Sequence, residues 1–295
     1  MDVACDLLAR ARGIGAASLA VVGTSKNAGK SVVVAALADA LAREDVPFGW
    51  CSIGRDGEAV DALVAIAKPR FFVRAGAIVA TATTLVPRSP ALEILDITHE
   101  RCALGPIALV RVHAPTFLEI AGPPSASALR AIVARLLALA PFAIVDGAVD
   151  RVAALRDGDD AIVVAVGAAS AATLAAAVDD AAALVARLSL PVAGDARDAI
   201  VVAGALTARA AVEHARVHGR RPLVVADPTR VAFGGRILLE LLERLDLRCA
   251  RGLRPIACTV APIGPERAFA PEAFARAVAA KTGLPTYDVY AQRVA

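Results

Sequence analysis

Short apolar runs alternate with amphipathic helical patterns along most of this 295-residue chain. A short apolar run predicts a buried strand, because a strand covered on both faces carries apolar side chains throughout. The predicted strands are Leu19–Val22, Phe48–Ile53, Ala143–Val145, Ile162–Val166, Ile200–Val202, Leu223–Ala226 and Ile256–Val260. The predicted helices are Lys30–Arg43, Ala128–Ala140, Ala171–Leu188, Thr207–His218, Gly235–Leu245 and Pro271–Thr282. This alternation predicts an α/β fold whose mostly parallel sheet is covered by helices on both faces.

The alternation stops between residues 68 and 124. Short β-like runs separated by Pro and Gly replace it: Arg70–Val73, Glu93–Thr98, Ile107–Val112 and Phe117–Ile120. We predict that residues 68–124 form an inserted antiparallel β-rich section, packed on the sheet edge or forming a small lobe. No low-complexity linker separates this section, so we expect one domain over residues 1–295.

A glycine-containing loop joins the first predicted strand to the first predicted helix. It consists of Gly23, Thr24, Ser25, Lys26, Asn27, Ala28 and Gly29, and Lys30, Ser31 and Val32 then open the helix. Gly-Lys-Ser between a strand and a helix is typical of the Walker A phosphate loop, or P-loop, of nucleotide-binding proteins. Backbone N–H groups of such a loop lie at the positive end of the helix dipole and bind phosphate oxygens. We therefore predict that residues 23–32 bind a nucleotide.

Three side chains of this loop have predicted roles of their own. The Lys30 ammonium would contact the β- and γ-phosphates, and the Ser31 hydroxyl would bind Mg²⁺. Lys26 either stabilises charge on the transferred phosphoryl group, or holds an anionic substrate, or is a solvated loop side chain. We favour a role for Lys26 in the site.

An acid at the end of a second strand is the other expected element of a nucleotide site. Asp146 follows the strand Ala143–Val145 and precedes Gly147, so we predict that it holds Mg²⁺, through water. Asp56 follows the strand Phe48–Ile53 in a polar stretch, and we place it near the metal and an attacking water; a glycine-rich turn is the alternative. Asp150 and Arg151 either sense the γ-phosphate or begin a helix, and the sequence leaves both open.

The sequence favours ATP over GTP. It contains no Asn-Lys-x-Asp or Thr-Lys-x-Asp motif for guanine. Asp227 and Thr229 follow a late predicted strand, Leu223–Ala226, and we expect them to face the nucleotide or the substrate.

Composition excludes several other classes of protein. The net charge is only +3 and the few aromatic residues do not interleave with basic clusters, so nucleic-acid binding has no support. The longest uncharged run, Ala161–Val178, divides into a strand, a turn and an Ala-rich helix, which argues against a membrane span. Residues 1–15 show no secretory signal, and the five cysteines form no CxxC pair. We expect a cytoplasmic protein with reduced thiols.

Several short sequences resemble a family of P-loop proteins. The form Gly-Thr-x-x-x-x-Gly-Lys-Ser resembles dethiobiotin synthetase and the cobyric acid synthase-like branch. The longer resemblance, over about residues 19–290, is to the P-loop subunit of the reactivase that accompanies lysine 5,6-aminomutase, an adenosylcobalamin- and pyridoxal-phosphate-dependent enzyme. Besides the loop, it rests on Ser52–Glu58, Lys68–Arg70, Glu119–Pro123, Asp146–Arg151, Gly204–Thr207 and Asp227–Thr229.

The resemblance implies a Mg²⁺-dependent ATPase that acts on a protein partner. That partner would be the aminomutase or a second reactivase subunit, and the activity would restore mutase whose cobalamin has been damaged. One alternative is a dethiobiotin synthetase-like ligase, which would activate a carboxylate with ATP and close a ring on a small amine. Another is a nucleotide-binding regulator without turnover. A homodimer is compatible with each of them.

Overall fold

The computed structural model describes residues 2–53, 70–147, 160–169, 171–194 and 198–291. The fold is α/β, with a large, mostly parallel sheet flanked by helices and a small antiparallel sheet. These features confirm the predicted α/β class with a mostly parallel sheet. The chain divides into two compact units, Met1–Val22 with Lys30–Arg156 and Gly23–Gly29 with Asp157–Ala295. The expected single domain over residues 1–295 stays a prediction.

The first unit contains three of the described helices and the strands between residues 18 and 146. The helices are α1 (Val3–Gly13), α2 (Lys30–Arg43) and α3 (Ala126–Leu139). The strands are β1 (Ser18–Gly23), β2 (Phe48–Ser52), β3 (Phe71–Val73), β4 (Ala77–Ala82), β5 (Leu92–Cys102), β6 (Gly105–Val112), β7 (Thr116–Leu118) and β8 (Ala143–Asp146).

Strands β1, β8, β2 and β4 lie side by side in this order, and all of their pairings are parallel. The register places Val21, Asp146 and Ser52 next to one another across β1, β8 and β2. Helix α3 covers one face of these strands, where Leu129 and Ile132 belong to a buried apolar cluster with the strand side chains. The carboxyl ends of β1, β8 and β2 therefore meet at one edge of the sheet.

Strands β3, β5, β6 and β7 overlap the four β-like runs predicted between residues 68 and 124. β6 pairs antiparallel with β4 and with β5, and β3 pairs antiparallel with β7 as a separate two-stranded sheet. Residues 68 and 69 lie outside the described part of the chain. Strand β4 has no counterpart among the predicted strands, because its sequence, Ala-Ile-Val-Ala-Thr-Ala, is rich in alanine, which is depleted in strands.

The second unit contains strands of two sheets and the remaining described elements. The strands are β9 (Asp160–Gly167), β10 (Ile200–Val201), β11 (Leu223–Val225), β12 (Leu247–Cys249), β13 (Arg254–Ala261) and β14 (Thr286–Asp288). The helices are α4 (Leu174–Leu188), α5 (Ala208–His218), α6 (Gly235–Arg244) and α7 (Pro271–Thr282). Strands β9, β13 and β14 pair in parallel, whereas β10, β11 and β12 form a separate parallel sheet with a buried cluster of its own.

The uncharged run Ala161–Val178 contains a strand and the start of a helix, as predicted, although the helix begins at Leu174 and not at Ala171. Its first part belongs to β9 and its last part to α4. Ser170, in the predicted turn, lies outside the described residues. Within the described ranges, no helix is both long enough and apolar enough to cross a membrane.

Candidate functional site

The loop between β1 and α2 has an unusual backbone conformation. Asn27 has φ 61° and Gly29 has φ 87°, both in the left-handed region. Glycine adopts this region without strain, and asparagine tolerates it better than most residues. Left-handed residues that alternate with right-handed ones turn successive N–H groups toward the same side and create a concave anion-binding surface. These two φ values agree with the predicted phosphate loop.

Two strand ends in the second unit support this loop. The Thr24 N–H donates to the Ala165 carbonyl of β9, with an N···O distance of 3.0 Å. Gly167, the last residue of β9, lies against Asn27 and Ala28 so closely that it has no room for a side chain. On the other side, a Cβ atom on Gly29 would lie 2.9 Å from the Cβ of Ala261, the last residue of β13. Direct packing therefore holds residues 24–29 in place.

The side chains of the loop differ in exposure. Ala28 is fully buried, Lys26 and Asn27 are exposed, and Thr24 and Ser25 are half-buried. The Ser25 hydroxyl donates to the Lys26 carbonyl at 3.1 Å. An exposed Lys26 agrees with each of the three interpretations given above, and its place in catalysis stays a prediction.

Lys30 and Asp146 are brought together within the first unit. Lys30 is the first residue of α2, Asp146 is the last residue of β8, and both are half-buried. Burial lowers the pKa of the Lys30 ammonium below its ordinary value of 10.5, and the nearby Asp146 carboxylate partly opposes that shift. A partly desolvated ammonium interacts strongly with an anion, because less water screens the charge. Lys30 is therefore suited to contact a phosphate group.

The backbone beyond Asp146 is fixed against β1. The Gly147 N–H donates to the Val21 carbonyl at 2.9 Å, and a Cβ atom on Gly147 would lie 2.7 Å from the same oxygen. Only glycine fits this position without displacing the strand. The close approach holds Asp146 at the end of β8, beside the start of α2.

The candidate donor set fits Mg²⁺ better than it fits zinc. Asp146 offers a carboxylate, and Ser31, exposed in the first turn of α2, offers a hydroxyl. Oxygen donors are those that Mg²⁺ prefers, and this ion usually takes one or two protein ligands and completes its shell with waters and phosphate oxygens. Over the described residues, no group of three or more His, Cys, Asp or Glu could hold a metal by itself. A Mg²⁺ ion here would depend on a bound nucleotide.

Asp227 follows β11, the central strand of the separate sheet of β10, β11 and β12. It begins a short 3₁₀ helix, Pro228–Arg230, where its carboxylate accepts from the N–H and the hydroxyl of Thr229. The Arg251 guanidinium lies 3.7 Å from the same carboxylate. These contacts give Asp227 a capping role, and its contact with a nucleotide stays a prediction. Asp56, Asp150 and Arg151 lie outside the described residues.

Three positions of structural importance are not among the predicted site residues. Gly167 and Ala261 follow the predicted strands Ile162–Val166 and Ile256–Val260. A small residue directly after an apolar run is the sequence signal that could indicate such a close contact. Ser52 is paired in register with Asp146, and only the strand pairing reveals it.

Comparison of the chain with protein-family models, with curated proteins and with solved structures found no match.

Proposed function

We propose that this chain is a P-loop NTPase that binds ATP and Mg²⁺ through residues 23–31 and Asp146. One observation carries the proposal: a loop with two left-handed residues runs into a helix whose first residue, Lys30, lies beside a strand-end carboxylate, Asp146. Phosphate binding requires convergent N–H groups and a positive charge, and we propose that residues 27–31 supply the first and Lys30 the second.

Each residue type suits one part of the chemistry. The backbone N–H groups of residues 27–31 would bind phosphate oxygens, and Lys30 would contact the β- and γ-phosphates. Ser31 and Asp146 would hold Mg²⁺, which when bound neutralises charge on the phosphate oxygens. Lys26 would add a second positive charge, and Asp56 would orient the attacking water. The lack of a guanine motif supports ATP as the nucleotide.

We further propose that hydrolysis serves a protein partner, as in a reactivase for a cobalamin-dependent aminomutase. The resemblance of several short sequences to the reactivase P-loop subunit supports this role. The β-rich section 68–124 is the candidate surface for contact with that partner. The dethiobiotin synthetase-like ligase remains the second candidate, because the loop itself has that form. A nucleotide-binding regulator is the third.

A turnover experiment distinguishes these three functions. Phosphate release from ATP is measured for the chain alone, for the chain with a candidate aminomutase, and for the chain with a diamino acid and bicarbonate. We expect slow basal hydrolysis that the protein partner stimulates and the small molecules do not. Rapid turnover that forms a cyclic urea would establish the ligase instead, and nucleotide binding without turnover under any condition would establish the regulator.

A further inference from the structure

Ser52 and Asp146 occupy neighbouring positions at the carboxyl ends of two parallel strands. β2 and β8 pair so that Ser52 lies opposite Asp146, one position after the pair formed by Cys51 and Val145. Adjacent strands are about 4.8 Å apart, and residues in register point to the same face of the sheet. The side chains of Ser52 and Asp146 therefore project from the same face.

The packing of the neighbouring residues identifies that face. Cys51 and Val145 belong to the buried cluster that includes Leu129 and Ile132 of α3, so their side chains point toward α3. Because side chains alternate along a strand, Ser52 points away from α3. Asp146 also points away from α3. Its carboxylate interacts electrostatically with the ammonium of Lys30 at the start of α2. Ser52 thus projects toward the candidate metal and phosphate site.

The backbone of Ser52 is held firmly in this position. The Ile53 N–H donates to the Asp146 carbonyl at 3.0 Å, which ties the end of β2 to β8. Gly122 packs directly on Ser52, since a Cβ atom on Gly122 would lie 1.5 Å from the Ser52 carbonyl oxygen. The segment that carries Gly122 is itself fixed, because the buried Thr81 hydroxyl accepts from the Ala121 N–H at 3.0 Å.

The Ser52 hydroxyl has the chemistry to hold water beside Asp146. It is half-buried, and within the described part of the chain it makes no hydrogen bond. One water molecule joins two oxygen atoms through hydrogen bonds of about 2.8 Å each, a span that neighbouring strands allow. Mg²⁺ keeps several waters when it binds protein, and residues that hold such waters tune the affinity of the site.

We propose that Ser52 is a positioning residue of the Mg²⁺ site, whose hydroxyl holds a metal-bound water together with Asp146. This inference rests on the proposed nucleotide function and adds to it a residue that contributes to metal affinity. Removal of the hydroxyl weakens metal binding without affecting nucleotide binding in the absence of metal, because the phosphate contacts come from the loop and Lys30.

The test measures metal affinity directly, with Mn²⁺ as a paramagnetic probe. Free Mn²⁺ is followed by electron paramagnetic resonance in the presence of a non-hydrolysable ATP analogue, for wild type, Ser52→Ala and Ser52→Thr. Nucleotide affinity is measured separately in EDTA by calorimetry. Ser127→Ala is the control, since it removes an exposed hydroxyl in the first turn of α3.

Ser52→Ala should raise the Mn²⁺ dissociation constant about tenfold, the lower end of the range for residues that support metal ligands. Ser52→Thr, which keeps the hydroxyl, and Ser127→Ala should stay within about twofold of wild type. Equal Mn²⁺ affinity in Ser52→Ala and wild type would overturn the role of Ser52 and leave the nucleotide site standing. If wild type binds neither the ATP analogue nor Mn²⁺ with it, the proposed function is wrong, and the Ser52 proposal with it.

Discussion

The backbone of Ala28 lies directly against Gly167: a Cβ atom at Gly167 would be 2.6 Å from the Ala28 Cα and 3.0 Å from the Asn27 oxygen. The distance to the Ala28 Cα is well below that of an ordinary contact between carbon atoms, which is about 3.5–4.0 Å. Gly167 does not have a left-handed φ, so the requirement for glycine here comes from space and not from backbone conformation. The end of β9 therefore sets where residues 27 and 28 of the loop can lie.

Gly167→Ala should displace the loop and weaken ATP binding at least about tenfold, equivalent to about 1.4 kcal/mol. Overpacking of this kind also costs about 1–3 kcal/mol of stability. Binding is measured by calorimetry and stability by thermal unfolding. Gly204→Ala is the matched control, because a Cβ atom there meets nothing within 4 Å. ATP affinity in Gly167→Ala equal to that of Gly204→Ala would show that this contact does not position the loop.

Lys30→Ala should abolish ATP binding or hydrolysis and leave the fold intact. The free energy of unfolding should change by less than about 1 kcal/mol, because the residue is only half-buried and its ammonium is partly desolvated in the folded protein. The control is Lys281→Ala, which removes a half-exposed lysine from the last turn of α7. Normal ATP affinity and turnover in Lys30→Ala would contradict the site assignment.

Asp146→Asn should keep nucleotide bound and reduce Mg²⁺-dependent hydrolysis by at least about tenfold, because the carboxylate holds the ion and not the phosphates. Hydrolysis rates are compared over a Mg²⁺ titration. Asp45→Asn makes the same chemical change at an exposed turn, where asparagine tolerates the left-handed φ of 55°. If the hydrolysis rate depends on Mg²⁺ in the same way in Asp146→Asn and in wild type, Asp146 does not hold the ion.

Thiol reactivity should separate Cys5 from the other four cysteines. Cys5 is exposed, whereas Cys51, Cys102, Cys249 and Cys258 are buried. Burial raises the pKa of Cys249 and of Cys258 from 9.0 to about 11. Only the thiolate attacks an alkylating reagent, so at pH 8 one thiol should react quickly in the native protein and five in denaturant. Rapid native labelling of Cys249 or Cys258, identified by mass spectrometry, would contradict this burial.

The same two pKa values define a pH dependence of stability. Between pH 9 and 11 the unfolded chain loses the protons of Cys249 and Cys258, whereas the folded protein retains them. The folded state then binds more protons than the unfolded state, so stability should fall as the pH rises through this window. Denaturant unfolding of wild type and Cys258→Ser over this range measures the effect, which should be smaller in the variant. Equal slopes in the two proteins would rule out the Cys258 contribution.

Local pattern accounts for the elements that the sequence predicts well. The helices Lys30–Arg43 and Pro271–Thr282 begin and end in the structure where the sequence places them. Helix α1 has no counterpart among the predicted helices, although its signals are present. Asp2 caps it by accepting from the Ala4 N–H at 3.0 Å, and Leu7, Leu8 and Ala11 form its buried face. Charged residues between these positions make the helical period of the apolar residues hard to recognise in the sequence.

Two short strands also have no counterpart among the predicted strands, and the reason is their length. Strands β12 and β14 have three residues each, too few to show a period, and their extended conformation depends on pairing with β11 and β13. The division of the later strands into two sheets was equally hidden, because parallel pairing joins segments that are far apart in the chain.

The amino-acid sequence by itself determined the α/β class, the loop between a strand and a helix, and the identities of Lys30, Ser31 and Asp146 as candidate ligands. These depend on spacing and side-chain chemistry within a few residues, which a sequence carries directly. Only the tertiary structure decided that Ser52 lies beside Asp146 and that Gly167 supports Ala28. Strand register and close backbone contact between distant segments are set by how whole faces pack, and no local pattern of residues specifies them.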